Sequence, residues 1–307
     1  MTRASSARSA LAALLALVAA ALLGACNSST AVTASGGKPL VVAAENVWGS
    51  LAHQIGGDRV DVVSLITNPN TDPHAYEPTP ADARTLAGAQ LAIVNGVGYD
   101  PWAAKLIAAN GREPIVLTVG DLVGARSGDN PHRWYDPANV EQVVGAVTAD
   151  LQRLDPKDAL SFIHQRTQLE TRGLARYRAL IAAIKSRYAG VPVGASESIV
   201  APLLAALGLD LVTPPGYIKA ISEGSDPTAQ DKGTVDAQIT RKLIKLWILN
   251  SQNVTPDSQR LTSAARARGI PVTTVTETLA PASASFQDWQ SAQLQDLQRA
   301  LAQATGR

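Results

Sequence analysis

Two of the chain's four histidines sit in loops built to the same plan. Pro73-His74-Ala75-Tyr76-Glu77-Pro78 and Pro131-His132-Arg133-Trp134-Tyr135-Asp136-Pro137 each place a proline before the histidine. Each has an aromatic residue two positions later and an acid–proline pair beyond. Proline fixes φ and restricts its predecessor, so each imidazole is carried on pre-organised backbone. A metal ligand gains from such fixed geometry. On these residues alone, two ordinary turn histidines are an equal reading. His53, in a helical pattern that ends at Gly56-Gly57, and His164, in a long helical tract, read as surface or half-packed side chains.

Loops of this kind need a frame. From Leu40 onward short apolar runs alternate with helical patterns. Leu40–Ala44, Val60–Ile66, Leu91–Asn95 and Ile115–Val119 predict one set of strands. Val191–Ala195, Leu209–Val212, Leu243–Asn250 and Pro271–Val275 predict a second. Strands separated by helices imply parallel sheets covered on both faces. Both histidine loops follow a strand, and the carboxyl edge of an open α/β sheet is where ligands bind. Thr79-Pro80, Asp100-Pro101, Asp136-Pro137, Asp155-Pro156 and Thr255-Pro256 each set a side-chain acceptor before a proline, the chemistry of a helix start. Between the two strand sets, the tract from Pro156 to Tyr188 predicts a helix about 50 Å long, with apolar residues recurring on one face. Residues 213–227 read as a loop-rich insertion. The expected fold class is α/β: two lobes, each with a central parallel sheet flanked by helices, joined by one long rigid linker helix. The N-terminal lobe would span residues 39–155, the linker 156–188 and the C-terminal lobe 189–307.

Composition agrees with a folded extracytoplasmic protein. The chain has 307 residues, 46% hydrophobic and 17% charged, with a formal net charge of +1. That supports a sizeable core, and no basic stripe points to nucleic acid. Arg3 and Arg8 precede an apolar run from Ala10 to Leu23 that is short for a spanning helix, so residues 1–25 read as a signal peptide. The run ends Leu23-Gly24-Ala25-Cys26, and Cys26 is the only cysteine. A small-residue cleavage site before a lone cysteine resembles a bacterial lipobox, in which the cysteine becomes the first mature residue and carries lipid. Residues 26–38, rich in Ser, Thr, Ala and Gly, read as a flexible tether. A mature chain whose only thiol is acylated has no disulfide and depends on core packing.

The stretches DPHAYEPTPADA, NGVGYDPW and NPHRWYDP resemble the metal-binding lipoproteins of zinc/manganese ABC importers, the cluster A-I solute-binding proteins. The opening AAENVWGSLAHQIGGDRV and the closing TETLAP extend the likeness over nearly all of the mature chain. The resemblance implies two lobes with a divalent metal between them, held by two histidines from the first lobe and two side chains from the second. It maps these ligands to His74, His132, Glu197 in Ala195-Ser196-Glu197-Ser198, and Glu277 in Thr276-Glu277-Thr278-Leu279. Read without it, Glu197 is a helix N-terminal acid and Glu277 a solvated loop acid. Two neutral imidazoles and two carboxylates would neutralise Mn²⁺ or Zn²⁺, the expected cargo. Added carboxylate, and the lack of a histidine-rich loop between Asp121 and Asn130, incline the reading to manganese. Tyr76 and Trp134 are expected beside the site. The implied partners are an ABC permease with its ATPase, and the membrane through the lipid on Cys26, with a monomeric protein facing outward from the cell. A secreted metallohydrolase on the same ligands and a surface adhesin are the alternatives. Four protein ligands close a site that catalysis needs open, and no nucleophile or general base stands out.

Overall fold

The first strand, β1 (Leu40–Glu45), reads LVVAAE, and all six residues are buried. No polar alternation shows because both faces of its sheet are covered. Val41 and Ala43 pack among Val47, Leu51, Val140 and Val143, while Leu40, Val42 and Ala44 join Leu86, Ala92 and Trp102 on the other side. A computed structural model describes residues 37–307 except Asp72 and Arg112. The expected signal peptide, Cys26 and most of the tether lie outside the described residues.

In chain order β1 is followed by α1 (Asn46–Gly56), β2 (Asp61–Ile66), α2 (Pro80–Ala87), β3 (Leu91–Val94), α3 (Pro101–Ala108), β4 (Ile115–Thr118), α4 (Val119–Leu122) and α5 (Pro137–Leu154). Then come α6 (Ala159–Gln168), α7 (Ala175–Tyr188), β5 (Pro192–Ala195), α8 (Ala201–Leu207), β6 (Asp210–Leu211), α9 (Pro215–Ser222), α10 (Ala229–Thr240), β7 (Leu246–Asn250), α11 (Pro256–Ala267), β8 (Val272–Val275) and α12 (Phe286–Thr305). The strands form two parallel sheets of four, ordered β2-β1-β3-β4 and β6-β5-β7-β8. In each, the chain changes direction across the sheet at the central pair, which opens a crevice at the carboxyl edge.

The acceptor–proline pairs behave as helix starts, with two refinements. Thr79 and Thr255 form capping boxes on α2 and α11, and Asp136 caps α5. Asp100 does not cap α3; its carboxylate turns back and accepts from the backbone N–H of Asn95 and Gly96, both at 2.7 Å. Asp155-Pro156 opens a short 3₁₀ turn that leads into α6. Residues 213–227, expected to be loop-rich, contain α9, in which Tyr217, Ile218 and Ile221 are buried.

The connection between the sheets is helical, as expected, but is not a uniform rod. One π turn, Leu169–Gly173, separates α6 from α7. α6 packs on α1 and α5, whereas α7 packs on α8 and α12, so the wide turn falls where the chain passes between lobes. Such turns interrupt helices often at functional sites. Side-chain acceptors also bind the lobes together: Leu279 N–H donates to Asn46 Oδ1 at 3.1 Å, and Phe286 N–H to Ser50 Oγ at 3.0 Å.

Glu45 closes β1 with its carboxyl in the interior. Burial pushes its pKa well above the ordinary carboxylate value, and the neighbouring Asp100 pushes it further. Burial therefore favours the neutral acid in the fold. The folded chain keeps a proton that the unfolded chain releases above about its ordinary value of 4.5. The stability from this group is full below that value and is lost as pH rises toward the folded one. Glu45→Gln, neutral at every pH, is expected to exceed wild type in stability at neutral pH. The gap should widen with pH by up to about 1.4 kcal/mol per unit. Urea unfolding at a series of pH values measures this; a gap that does not vary with pH would show that Glu45 is ionised in the fold.

Candidate metal centre

His74, His132 and Glu277 converge where the carboxyl edges of the two sheets meet. His74 rides on a 3₁₀ turn, Pro73–Ala75, after β2; His132 precedes a second, Arg133–Tyr135, in the segment after α4; Glu277 lies two residues past β8. The two imidazole Nε2 atoms are 3.4 Å apart. Glu277 Oε2 lies 3.5 Å from His74 Nε2 and 3.7 Å from His132 Nε2. The side chains of His132 and Glu277 are fully buried, and that of His74 is 23% exposed. Burial alone would raise the Glu277 pKa. Its contacts with His132 and His74 and the Tyr99 hydroxyl outweigh burial and hold it below the usual carboxylate range.

Tyr99 is the centre's aromatic floor. Its hydroxyl donates to Glu277 Oε2 at 2.7 Å, and its ring stands edge-on to His74, His132 and Trp134. The turn Asn95-Gly96-Val97-Gly98 makes this placement possible. Gly96, Val97 and Gly98 all have positive φ, at 72°, 56° and 78°. A β-branched residue with positive φ is a strained conformation. The Asp100 carboxylate, accepting from Asn95 and Gly96, fastens the turn from below. Asn95 also donates from Nδ2 to the carbonyl of Pro131 at 2.8 Å, which ties the Tyr99 turn to the His132 loop.

Asn130 sets the tautomer of His132. Asn130 Oδ1 accepts from the His132 backbone N–H and faces His132 Nδ1, both at 2.9 Å. Its Nδ2 donates to the Ser198 carbonyl at 2.6 Å, so the amide orientation is consistent. Nδ1 therefore carries the proton, and Nε2 presents its lone pair to the other two ligand atoms. The same amide crosses between lobes, because Ser198 follows Glu197.

Glu197 is fully buried but stands outside the cluster of three, whose ligand atoms lie within 4.8 Å of one another. Asn250, at the end of β7, comes between the carboxylates: its Nδ2 donates to Glu197 Oε1 and, at 2.8 Å, to Glu277 Oε1. Asn253 Nδ2 donates to the other oxygen, Glu197 Oε2, at 2.8 Å. A cleft of about 810 Å³ leads from His74 to the surface between Ser127–Pro131 and α9.

Of the four residues mapped by resemblance, the structure thus assembles His74, His132 and Glu277 and holds Glu197 one amide away. Trp134 lies edge-on to His132, as expected. Tyr76 does not reach the centre; it packs on Trp102 and donates to Asp82. His53 and His164 are exposed. Sequence reading missed Tyr99, Asn130, Asn250 and Asn253. Tyr99 and Asn130 lay inside the quoted motifs NGVGYDPW and NPHRWYDP. Asn250 had only its place at a strand's carboxyl end to mark it.

The chain matches the family described as zinc-uptake complex component A periplasmic (ZnuA) over residues 41–300. Among curated proteins it is similar to the manganese-binding lipoprotein MntA of Halalkalibacterium halodurans, 28% identical over 48% of this chain and 50% of that one. It is similar to the manganese ABC transporter substrate-binding lipoprotein PsaA of Streptococcus pneumoniae, 29% identical over 48% of this chain and 53% of that one. The iron ABC transporter substrate-binding lipoprotein MtsA of Streptococcus pyogenes is 30% identical over 45% of this chain and 48% of its own. Each match spans about half of the relative's length. Among solved structures, the Mn-bound periplasmic metal binding protein of Candidatus Liberibacter asiaticus superposes with a TM-score of 0.70 at 20% identity, covering 86% of this chain and all of that one. FpvC of Pseudomonas aeruginosa in complex with Mn²⁺ gives 0.69 at 21% identity, covering 86% and 98%. At these identities the structures establish the shared two-lobed fold.

The Asn130 geometry is open to direct test. Asn130→Ala removes two bonds to His132 and one to Ser198, and is expected to cost about 2–3 kcal/mol in urea unfolding. Imidazole ¹⁵N chemical shifts should show His132 as the Nδ1–H tautomer in wild type and as a mixture in the variant. A wild-type Nε2–H tautomer would contradict the assignment.

Proposed function

The chain belongs to the zinc-uptake complex component A family, and on that premise we propose that it captures a divalent transition metal between its lobes and delivers it to an ABC permease driven by an ATPase. The observation that carries this reading is the triangle of His74 Nε2, His132 Nε2 and Glu277 Oε2, with edges of 3.4, 3.5 and 3.7 Å. A tetrahedral ion with bonds of about 2.1 Å has ligand–ligand edges of about 3.4 Å. Three donors, already spaced as one face of that tetrahedron, need little rearrangement to take an ion. Two imidazoles and carboxylate suit Zn²⁺, and further carboxylate suits Mn²⁺.

Glu197 is the proposed fourth ligand. Its charge and that of Glu277 would neutralise the ion, and its burial beside the cluster supports the role. Entry is from the cleft, on which His74 is the exposed ligand. A closed four-ligand site, with no nucleophile beside it, favours binding and release over hydrolysis. The polar bonds between lobes favour small movements on loading. The division into lobes at 39–155 and 189–307 around the linker 156–188 belongs to the same reading. So does a monomer held at the outer face of the cell membrane by lipid on Cys26. The sole cysteine, its lipobox-like setting and the relatives named as lipoproteins support that anchor. Among the described residues no helix is long and apolar enough to cross a membrane.

His74→Ala and His132→Ala should each lower metal affinity by more than about a hundredfold, beyond the effect usual for residues behind a ligand. Their circular dichroism spectra should match wild type. Equal affinity in the double variant would refute the site. Metal content after purification from the native membrane without chelator decides the cargo. About one Mn²⁺ per chain, changing to Zn²⁺ in Glu197→His, identifies manganese import with Glu197 as selector; one Zn²⁺ in both identifies zinc. Separately, Cys26→Ser should move the protein from the membrane to the soluble fraction on cell fractionation. Retention in the membrane would exclude the lipid as its anchor.

A further inference from the structure

We propose that Gln252 is a positioning residue for metal capture. Its one amide holds the loop that carries His74, in the first lobe, against the loop that carries Glu277, in the second. The inference rests on the reading of the cluster as a metal centre.

Gln252 lies two residues past β7 and is half-buried. Its Oε1 accepts from the backbone N–H of Glu277 and, at 3.0 Å, from that of Thr278. Its Nε2 donates to the Pro69 carbonyl at 2.6 Å and to Thr278 Oγ1 at 2.8 Å, and faces the Thr71 carbonyl at 3.4 Å. Backbone N–H groups on one side call for an oxygen, and backbone carbonyls on the other call for a donor. The orientation of the amide is therefore set by its surroundings. The side chain spans the gap between the lobes with a bond made at each end.

Pro69 and Thr71 precede His74 by five and three residues. Pro73, immediately before His74, has its φ fixed by its ring. A loop anchored at Pro69 and Thr71 thus leaves few free torsions between the anchor and the imidazole. At its other end the amide grips the backbone of the ligand residue Glu277 itself. The distance that depends on this brace is the 3.5 Å edge between His74 Nε2 and Glu277 Oε2.

The other cross-lobe edge, from His132 to Glu277, has braces of its own. Asn130, beside the His132 loop, donates to the Ser198 carbonyl at 2.6 Å. Tyr135, three residues past His132, donates to the Thr276 carbonyl at 2.8 Å. Loss of the Gln252 amide should therefore loosen the His74 edge and spare the His132 edge. That asymmetry distinguishes a positioning role from general support of the fold.

The test is a set of double-variant cycles on full mature chains. Mn²⁺ and Zn²⁺ affinities are read by competition with chelators of graded strength, so that weak variants stay measurable. Melting temperatures show that each chain is folded. Gln252→Ala is expected to weaken binding about tenfold to a hundredfold, the range usual for partners behind a ligand. In His74→Ala the same change should cost less than about threefold, because no imidazole remains to be positioned. In His132→Ala it should keep its full cost. Gln252→Met, which fills similar space with neither bond, serves if Gln252→Ala does not fold. The same cost in all three backgrounds would place the effect on the fold or on Glu277 alone and overturn the inference. So would unchanged affinity in Gln252→Ala, or a cost that vanishes in His132→Ala and persists in His74→Ala. Each of these leaves the metal centre intact. A wild-type protein that binds neither ion would instead overturn the metal reading beneath it.

Discussion

A buried, ionised carboxylate is the constraint around which the centre is built. Glu277 is buried at the junction of the two sheets, where an unpaired charge would be costly. The Tyr99 hydroxyl and the Asn250 amide donate to it, and the Nε2 atoms of both imidazoles lie within 3.7 Å. These come from both lobes and from strand ends far apart in sequence. The carboxylate therefore couples the two lobes directly, and a dication is the partner that best completes its surroundings.

The supports behind the ligands explain how so few residues hold such a geometry. Asn130, Asn95 and Gln252 each use both ends of a polar side chain, so that one residue fixes two segments. Bonds from Gln252 to Pro69 and Thr71 and from Asn130 to Ser198 cross between lobes, and Gln252 also braces the Glu277 backbone N–H. Flexible loops would lose conformational entropy on ordering. The positive-φ turn at Gly96–Gly98 and the proline-led 3₁₀ turns reduce that cost, because their shapes are set before a ligand arrives. His74 alone keeps solvent contact, which gives the cleft a single ligand that can meet an incoming ion first.

The linker shows the same economy. A helix of two halves with a π turn between them lets α6 remain packed on the first lobe and α7 on the second. Polar bonds at Asn46, Ser50 and Gln252 join the lobes elsewhere. Opening would break several of these at once.

The sequence by itself determined the α/β class, all eight strands to within a few residues, and the two proline-histidine loops. Those features are local: alternation of apolar runs, acceptor–proline pairs and fixed φ act over a few residues and need no partner. It over-extended β7 to Leu243, because Lys242 turns the chain through positive φ and Leu243 is 53% exposed. It also missed α9, whose buried residues share a cluster with α10, α11 and the second sheet. The centre's outer layer was decided by tertiary structure alone. An asparagine is an unremarkable surface residue until two carboxylates from other strands arrive on either side of it, as they do at Asn250. Whether Glu197 touches the cluster or stands one amide behind it depends on that juxtaposition. No spacing along the chain encodes it, because the three residues meet only when β5, β7 and β8 lie side by side.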